Sequence, residues 1–230
     1  MMSPGSLQPI AEDLWIVDGP SVRFGPAKLP TRMVVVRLAD GSVWINSPVA
    51  VAPNVQRAIE DIGCVRYLVA PTPLHLWRLE DARSRFAQAE TWGPPFLRAK
   101  RSVAFDNVLG VDPPAVWSHD IDQVIFAGNI FVTEVEFLHK KSRTLIVADV
   151  LQNYRYPAGR VFANFLLRAA GVLDGGVPLD MRLSFTDRER ARRSLKQLLA
   201  WDFDRLILAH GTCREHGAKA FVREAFRWLG

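Results

Sequence analysis

The sequence has only two cysteines and no long apolar run, and these absences exclude several classes of protein. Cys64 and Cys213 are the only thiols among 230 residues, so no CxxC pair and no thiolate zinc site can form. No run of about 18 uncharged apolar residues occurs, so no transmembrane helix is expected. The N-terminus has no basic segment followed by an apolar core, which argues against a secretory signal. We therefore expect a cytoplasmic protein whose thiols are reduced.

Several nucleophile and nucleotide motifs are also missing. No G-x-S-x-G is present, which disfavours an α/β serine hydrolase. Neither G-x-G-x-x-G nor a phosphate-loop pattern occurs, so the common nucleotide-binding fingerprints are absent. The net charge is +5, but the basic residues are spread out and the densest cluster, residues 187–196, interleaves acids. Such mixed charge is typical of a solvated helix face, so we expect no nucleic-acid partner.

The residues that are present favour one α/β domain spanning 1–230. Apolar residues make up 49% of the chain and charged residues 23%, both ordinary for a protein that buries a full core. Hydrophobic patterns predict an order of elements that is strand-rich first, then mixed, then helical. Predicted strands cover residues 14–18, 31–48 (a hairpin around Asp40-Gly41), 65–70, 90–92, 122–128, 131–139, 144–150 and 205–210. Predicted helices cover residues 52–63, 79–89, 161–173, 186–202 and 215–229, with Gly63 ending the first and Thr186 capping the fourth.

Three polar residues share one position relative to the predicted strands. His75 lies a few residues after one strand, Asp149 ends a second and His210 ends a third. Ligands gather at the carboxyl ends of strands in layered α/β proteins, and nitrogen and oxygen donors suit zinc, iron or manganese. Each residue also has a structural interpretation. Asp149 could cap a turn, His210 could bond a backbone carbonyl, and His75 could be a half-buried turn residue.

Other polar residues are candidates for less specific roles. Tyr154 and Arg155 follow Asp149 closely and could bind an anionic or aromatic ligand. The alternative is a capped loop in which Tyr154 and Tyr156 pack on the sheet edge. Cys213 lies three residues after His210, but no third residue is indicated that would orient a Cys-His pair. The remaining histidines, His119, His139 and His216, are expected in solvated loops or on the surface.

Two segments resemble a known superfamily. The sequences EVEFLHKKSRTLIVAD (residues 134–149) and LILAHG (residues 206–211) are similar to the metallo-β-lactamase superfamily, and to a branch catalogued only as a domain of unknown function. The resemblance covers nearly the whole chain. It implies an α/β fold, the four-layer αββα sandwich of the metallo-β-lactamase type, with a metal site along one edge of the two sheets. Asp149 and His210 match the aspartate and the final histidine of the family motif.

The chain departs from the family where its first metal ligands are usual. The family's His-x-His-x-Asp-His loop corresponds to VAPTPLHL, in which Pro71 and Pro73 cannot bind metal and His75 is the single histidine. The family's middle histidine falls near GNI (residues 128–130), where Asn129 offers only a weak oxygen donor. The resemblance therefore implies three metal ligands at most, His75, Asp149 and His210.

Two functional hypotheses follow. The first is a metallo-hydrolase-like protein with a degenerate site, at most a mononuclear metal-dependent hydrolase using zinc, iron or manganese. The second is a non-catalytic protein that binds a small molecule or partner and holds no metal. In either case Asn129, Tyr154 and Arg155 are the candidate substrate-binding residues, and the small-molecule ligand is not identified by the sequence.

Overall fold

The structure is a computed structural model that describes residues 5–24, 27–95, 105–156 and 159–230. The chain forms two compact units, Met1–Asp122 and Gln123–Gly230. Each unit has its own hydrophobic core. Within the described ranges, every helix is too short or too polar to cross a lipid bilayer.

The first unit is built on a seven-stranded sheet whose strands follow chain order. Strands β1 to β4 pair antiparallel, and β4 to β7 pair parallel. A parallel pair needs a crossover connection, and helices supply the first two of these. The strands are β1 (Leu7–Ala11), β2 (Leu14–Phe24), β3 (Ala27–Arg37), β4 (Val43–Asn46), β5 (Val65–Val69), β6 (Glu90–Gly93) and β7 (Asn107–Val108).

The predicted hairpin is confirmed by the antiparallel pairing of β3 with β4. Gly41 has a φ of +82°, a conformation that glycine adopts without a steric penalty. The Asp40 carboxylate accepts hydrogen bonds from the amide and hydroxyl of Ser42 at 2.9 and 2.6 Å. These bonds lower the pKa of Asp40, so the turn is stabilised by the ionised carboxylate.

The helices of the first unit are α1 (Pro53–Glu60) and α2 (Leu79–Arg85), with a 3₁₀ helix at Pro73–Arg78. Helix α1 buries Val55 and Ile59, four residues apart, as its periodicity predicts. Gly63 does not end this helix, because the last turn closes on Asp61. A Cβ atom at residue 63 would lie 2.2 Å from the Gly41 carbonyl oxygen, so close packing against the hairpin turn explains the glycine.

The second unit is built on a four-stranded sheet of order β11-β10-β9-β8. Strands β10 and β11 pair parallel, whereas β9 and β10 pair antiparallel. The strands are β8 (Ile121–Phe126), β9 (Glu134–His139), β10 (Thr144–Val147) and β11 (Arg205–Leu208). The helices are α3 (Val161–Ala169), α4 (Leu179–Ser184), α5 (Arg188–Ala200) and α6 (Ala218–Ala225), and a 3₁₀ turn at Arg227–Leu229 follows α6.

Two details of the predicted elements are wrong. Thr186 does not cap α5, because Asp187 is the N-cap residue and its carboxylate accepts a hydrogen bond from the Arg190 amide at 3.0 Å. A carboxylate at this position also interacts favourably with the helix dipole. The prediction omits β1, β7 and α4, which are short elements with little periodicity of their own.

Candidate functional site

Asp149 and His210 lie side by side beyond two paired strands. Strands β10 and β11 are parallel with Val147 opposite Leu208, so the residues two positions further along also lie opposite each other. His210 Nε2 is 3.0 Å from Asp149 Oδ1, and both side chains are buried. The prediction that these two residues approach each other at the ends of adjacent strands is confirmed.

Glu134 holds the segment that carries Asp149. Its Oε1 accepts hydrogen bonds from the amides of Ala148 and Asp149 at 2.8 and 3.0 Å. Its Oε2 accepts from the amides of Asp149 and Val150 at 2.9 and 3.0 Å. Three successive amides aimed at one carboxyl fix the backbone after β10. Glu134 therefore orients Asp149 toward His210 through the main chain.

A second buried carboxyl, Glu136, lies on the same face of β9 as Glu134. Side chains two residues apart on a strand share a face, and both glutamates are buried. Burial raises the pKa of Glu134 to about 7, and the negative charge of Asp149 adds to this effect. Burial and the neighbouring Glu134 raise the pKa of Glu136 well above its ordinary value. Three carboxyls so close together therefore hold fewer than three negative charges near neutral pH.

A sharp turn keeps His210 in place. Gly211 has a φ of +100°, and a Cβ atom there would lie 2.0 Å from the Asn153 carbonyl oxygen. That carbonyl accepts a hydrogen bond from the Thr212 amide at 2.8 Å, and the Asn153 side chain donates to the Thr212 carbonyl at 2.8 Å. Only glycine allows the segment after Asp149 and the segment after His210 to pack this closely.

His75 belongs to the first unit and lies in the 3₁₀ helix after β5. The Thr72 hydroxyl accepts a hydrogen bond from the Leu74 amide at 3.1 Å, which starts the helix. His75 Nδ1 is 2.7 Å from the Ser47 hydroxyl, so a side-chain hydrogen bond orients the ring. Ser47 is itself held in a left-handed conformation with φ +56°. The imidazole is thus half-buried and fixed at one nitrogen.

The three candidate substrate-binding residues have different surroundings. The Asn129 amide donates to the Ser184 hydroxyl at 2.7 Å, and its carbonyl accepts from the amides of Phe131 and Val132 at 2.8 and 3.0 Å. Asn129 is therefore engaged in a turn, and its oxygen is directed to the backbone. Tyr154 is half-buried. Arg155 is exposed and forms an ion pair with Asp174.

The other histidines are placed as predicted with one exception. His119 and His216 are exposed, beside Asp120 and Asp204 respectively. His139 is not solvated, because it is buried at the end of β9 with Nδ1 2.7 Å from the Ser142 hydroxyl. The hydroxyl in the following turn gives this buried imidazole a hydrogen-bond partner, which buried polar groups require.

Glu134 and Glu136 are the residues that the sequence reasoning missed. They lie in the predicted strand at residues 131–139, and all six residues of β9 are buried. Two acidic residues at i and i+2 within an otherwise apolar strand are the signal that could have identified them. Charged side chains are almost never buried without a specific partner or role.

Comparison with known proteins bears on the fold. A family model described as a domain of unknown function, DUF4336, matches residues 12–164. No curated protein matches the chain.

Solved structures with a similar fold include metallo-β-lactamases. The enzyme from Erythrobacter litoralis is 12% identical, with a TM-score of 0.64 over 99% of this chain and 94% of that one. FIM-1 from Pseudomonas aeruginosa, in a mono-zinc form, is 10% identical, with a TM-score of 0.64 over 99% and 97%. The metal-soaked Flv1 flavodiiron core from Synechocystis is 11% identical, with a TM-score of 0.63 over 99% and 62%. The predicted α/β fold of the metallo-β-lactamase type is therefore confirmed.

Proposed function

The chain belongs to the family described as a domain of unknown function, DUF4336, and from this premise we propose that it is a metallo-hydrolase-like protein binding one divalent metal ion. His75, Asp149 and His210 are the proposed ligands, and residues 1–230 act as a single domain. The pairing of Asp149 with His210 is the observation that carries the proposal. One relative in fold, FIM-1, is described in a mono-zinc form, which supports a single-ion site on this fold.

The Asp149–His210 pair fits a divalent ion. Donors bound at 2.0–2.1 Å to a tetrahedral ion are about 3.3 Å apart, and His210 Nε2 is 3.0 Å from Asp149 Oδ1. Both residues offer a ligand atom. The Glu134 carboxyl adds negative potential behind Asp149, and it orients the ligand as outer-shell groups do in metal sites.

His75 is proposed as the third ligand because its ring is oriented in the way that metal-binding histidines require. Such histidines place one ring nitrogen on a hydrogen-bond partner, which fixes the tautomer and leaves the other nitrogen as the donor. His75 Nδ1 bonds the Ser47 hydroxyl at 2.7 Å, which suits Nε2 as the ligand atom. Two histidines and one carboxylate are a familiar ligand set for zinc, iron or manganese.

A bound divalent ion would polarise a carbonyl or phosphoryl oxygen as a Lewis acid. The protein contributes the orientation of the ligands, through Glu134 on the Asp149 segment and through the Gly211 turn after His210. Tyr154 and Arg155 are the proposed substrate contacts.

We do not expect the two-metal centre that is usual in the family. Asn129 occupies the position of the family's middle histidine, and its oxygen already accepts two backbone hydrogen bonds. Proline side chains at residues 71 and 73 offer no donor atom. The same observations favour the second candidate function, a protein that keeps the fold for binding a small molecule or partner without catalysis.

Metal analysis of protein purified without a histidine tag tests the proposal. We expect about one zinc, iron or manganese ion per chain, and its loss in His75→Ala, Asp149→Asn and His210→Ala variants. His216→Ala is the matched control, because His216 is exposed and should keep the metal. Metal retained in folded Asp149→Asn and His210→Ala variants would contradict the proposed site. Metal lost in those two but retained in His75→Ala would remove His75 alone from the ligand set.

Activity measurements separate the two candidate functions. We expect β-lactam, thioester and phosphodiester substrates not to turn over at rates typical of enzymes, on the order of 1–1000 per second. Hydrolysis of any of these at such rates, abolished by a chelator, would show that the site works as a full metallo-hydrolase. Protein that holds no metal and turns over nothing on broader ester and amide panels would favour the binding protein.

A further inference from the structure

Helix α3 directs its apolar side chains to solvent. None of its residues is buried. The exposed fractions are 73% for Val161 and Phe162, 62% for Phe165 and 51% for Leu166. These positions follow i, i+1, i+4 and i+5, which places them on one stripe of the helix. An amphipathic helix on a globular protein normally turns this stripe to the core, so α3 has the opposite orientation.

Segments joined to α3 by backbone hydrogen bonds carry further exposed apolar side chains. At the start of helix α4, the Leu179 amide donates to the Ala170 carbonyl at 2.9 Å. At its end, the Ser184 carbonyl accepts a hydrogen bond from the Ile130 amide at 3.1 Å. Leu183 on α4 and Phe131 beside Ile130 are each 76% exposed. We define the α3 patch as these exposed side chains together: Phe131, Val161, Phe162, Phe165, Leu166 and Leu183.

The α3 patch has the size of the largest apolar patch on a typical soluble monomer. Its three phenylalanines alone expose on the order of 400 Å². The largest apolar patch on a typical soluble monomer is about 300–600 Å², and the three aliphatic side chains add to the phenylalanine area. Scattered single apolar residues need no explanation, but a contiguous stripe of this kind marks an interaction surface.

The charge around the patch is positive. Between residues 150 and 184, Arg155, Arg160, Arg168 and Arg182 outnumber Asp174 and Asp180, and Asp174 is paired with Arg155. Arg160 precedes α3 and Arg168 lies in its last turn, and both are exposed. The Arg160 guanidinium lies 5.7 Å from the centre of the Tyr156 ring. A cation at each end of an apolar stripe can reach to an anionic surface while the stripe inserts.

We propose that the α3 patch docks on the surface of an anionic lipid bilayer. Phenylalanine, leucine and valine would enter the boundary between head groups and acyl chains, and Arg160 and Arg168 would meet the acidic head groups. A second copy of the chain fits less well. A two-fold contact through the same patch would bring the arginines of both copies together without an acid on α3 to compensate. The proposal is independent of the metal site.

Vesicle flotation with the full chain tests the proposal, using vesicles of phosphatidylcholine alone or mixed with phosphatidylserine. We expect the wild type to bind the mixed vesicles at least about tenfold more tightly, and to weaken as salt is raised. Phe162→Ser with Phe165→Ser should weaken binding by about 100-fold, since each ring contributes roughly a tenfold gain when buried. Arg160→Gln with Arg168→Gln should weaken it by roughly fivefold per charge removed.

Val111→Ser with Val116→Ser is the matched control, because these side chains are 71% and 51% exposed but belong to the other unit. The control should bind like the wild type, and near-ultraviolet circular dichroism should show that every variant folds. Equal binding of neutral and acidic vesicles would overturn the proposal, as would patch variants that bind like the wild type. A wild-type dimer that the phenylalanine variants dissociate, with no vesicle binding, would assign the patch to a second copy instead.

Discussion

The two buried glutamates of β9 allow a stringent test of how the Asp149 segment is held. Glu134 and Glu136 lie on the same strand face with the same burial, but their bonding differs. Glu134 accepts from three backbone amides. Neither Glu136 oxygen accepts a hydrogen bond from a backbone amide of a described residue. Replacing Glu134 by glutamine keeps the side-chain shape and changes its hydrogen bonds to the backbone amides. The same replacement at Glu136 keeps the shape and affects no such bond.

The expected cost of Glu134→Gln follows from the geometry. Glutamine replaces one acceptor oxygen with an amino group, so the amide of either Ala148 or Val150 loses its acceptor. A buried donor left without a partner costs about 1–3 kcal/mol of unfolding free energy. Glu136→Gln leaves these amides bonded and removes a carboxyl whose pKa is already raised, so its free energy of unfolding should change by less than about 1 kcal/mol.

Urea unfolding of chelator-treated protein measures both variants. The experiment is best done at about pH 4, where Glu134 is mainly protonated in both the folded and the unfolded wild type, since its pKa is about 7 when folded and 4.5 ordinarily. The Glu134→Gln variant should also lose metal affinity about tenfold or more, since outer-shell partners have effects of this size, whereas Glu136→Gln should lose less. Equal destabilisation by both substitutions would refute the assignment of Glu134 as the residue that orients the Asp149 segment.

Three further predictions follow from the structure. The metal-free wild type should lose stability as pH rises from about 4.5 to 7, because the pKa values of Glu134 and Glu136 are both raised in the folded state and their ionisation there is opposed. Urea unfolding at several pH values should show this slope, and the Glu134→Gln variant should show a smaller one because only Glu136 still contributes to it. Gly211→Ala should lower the free energy of unfolding by about 2–4 kcal/mol, because its Cβ would lie 2.0 Å from a carbonyl oxygen. Gly159→Ala is the control, since open space surrounds Gly159, and it should cost far less. Equal effects in thermal unfolding would contradict the close packing. Asp187→Ala should cost about 1 kcal/mol through loss of the α5 cap, and Thr186→Ala should cost little, so the reverse order in urea unfolding would restore Thr186 as the cap.

The elements with strong local patterns could be predicted from the sequence. The Asp40-Gly41 hairpin, helix α1 and the apolar strand at residues 144–147 all form near the predicted positions. Their signals are turn chemistry and hydrophobic period, and both act over a few residues. Helix ends were less predictable. Gly63 is required by its close packing against the Gly41 carbonyl and not by the end of its own helix.

The candidate site was predictable in part. Asp149 and His210 each end an apolar run, and parallel pairing of those runs brings the two side chains together. His139 was expected in solvent, yet the Ser142 hydroxyl in the following turn allows it to be buried. Which histidine finds a buried partner depends on contacts that sequence spacing does not reveal.

The sequence by itself determined the strand ends that carry Asp149 and His210, since alternation and apolar runs fix where strands begin and end. Only the tertiary structure decided what surrounds them. Glu134 accepts hydrogen bonds from three amides because β9 and β10 are neighbours. The apolar stripe of α3 faces solvent, although its periodicity alone would place it against a core. Local pattern records which residues share a face, but the packing of distant segments determines what that face meets.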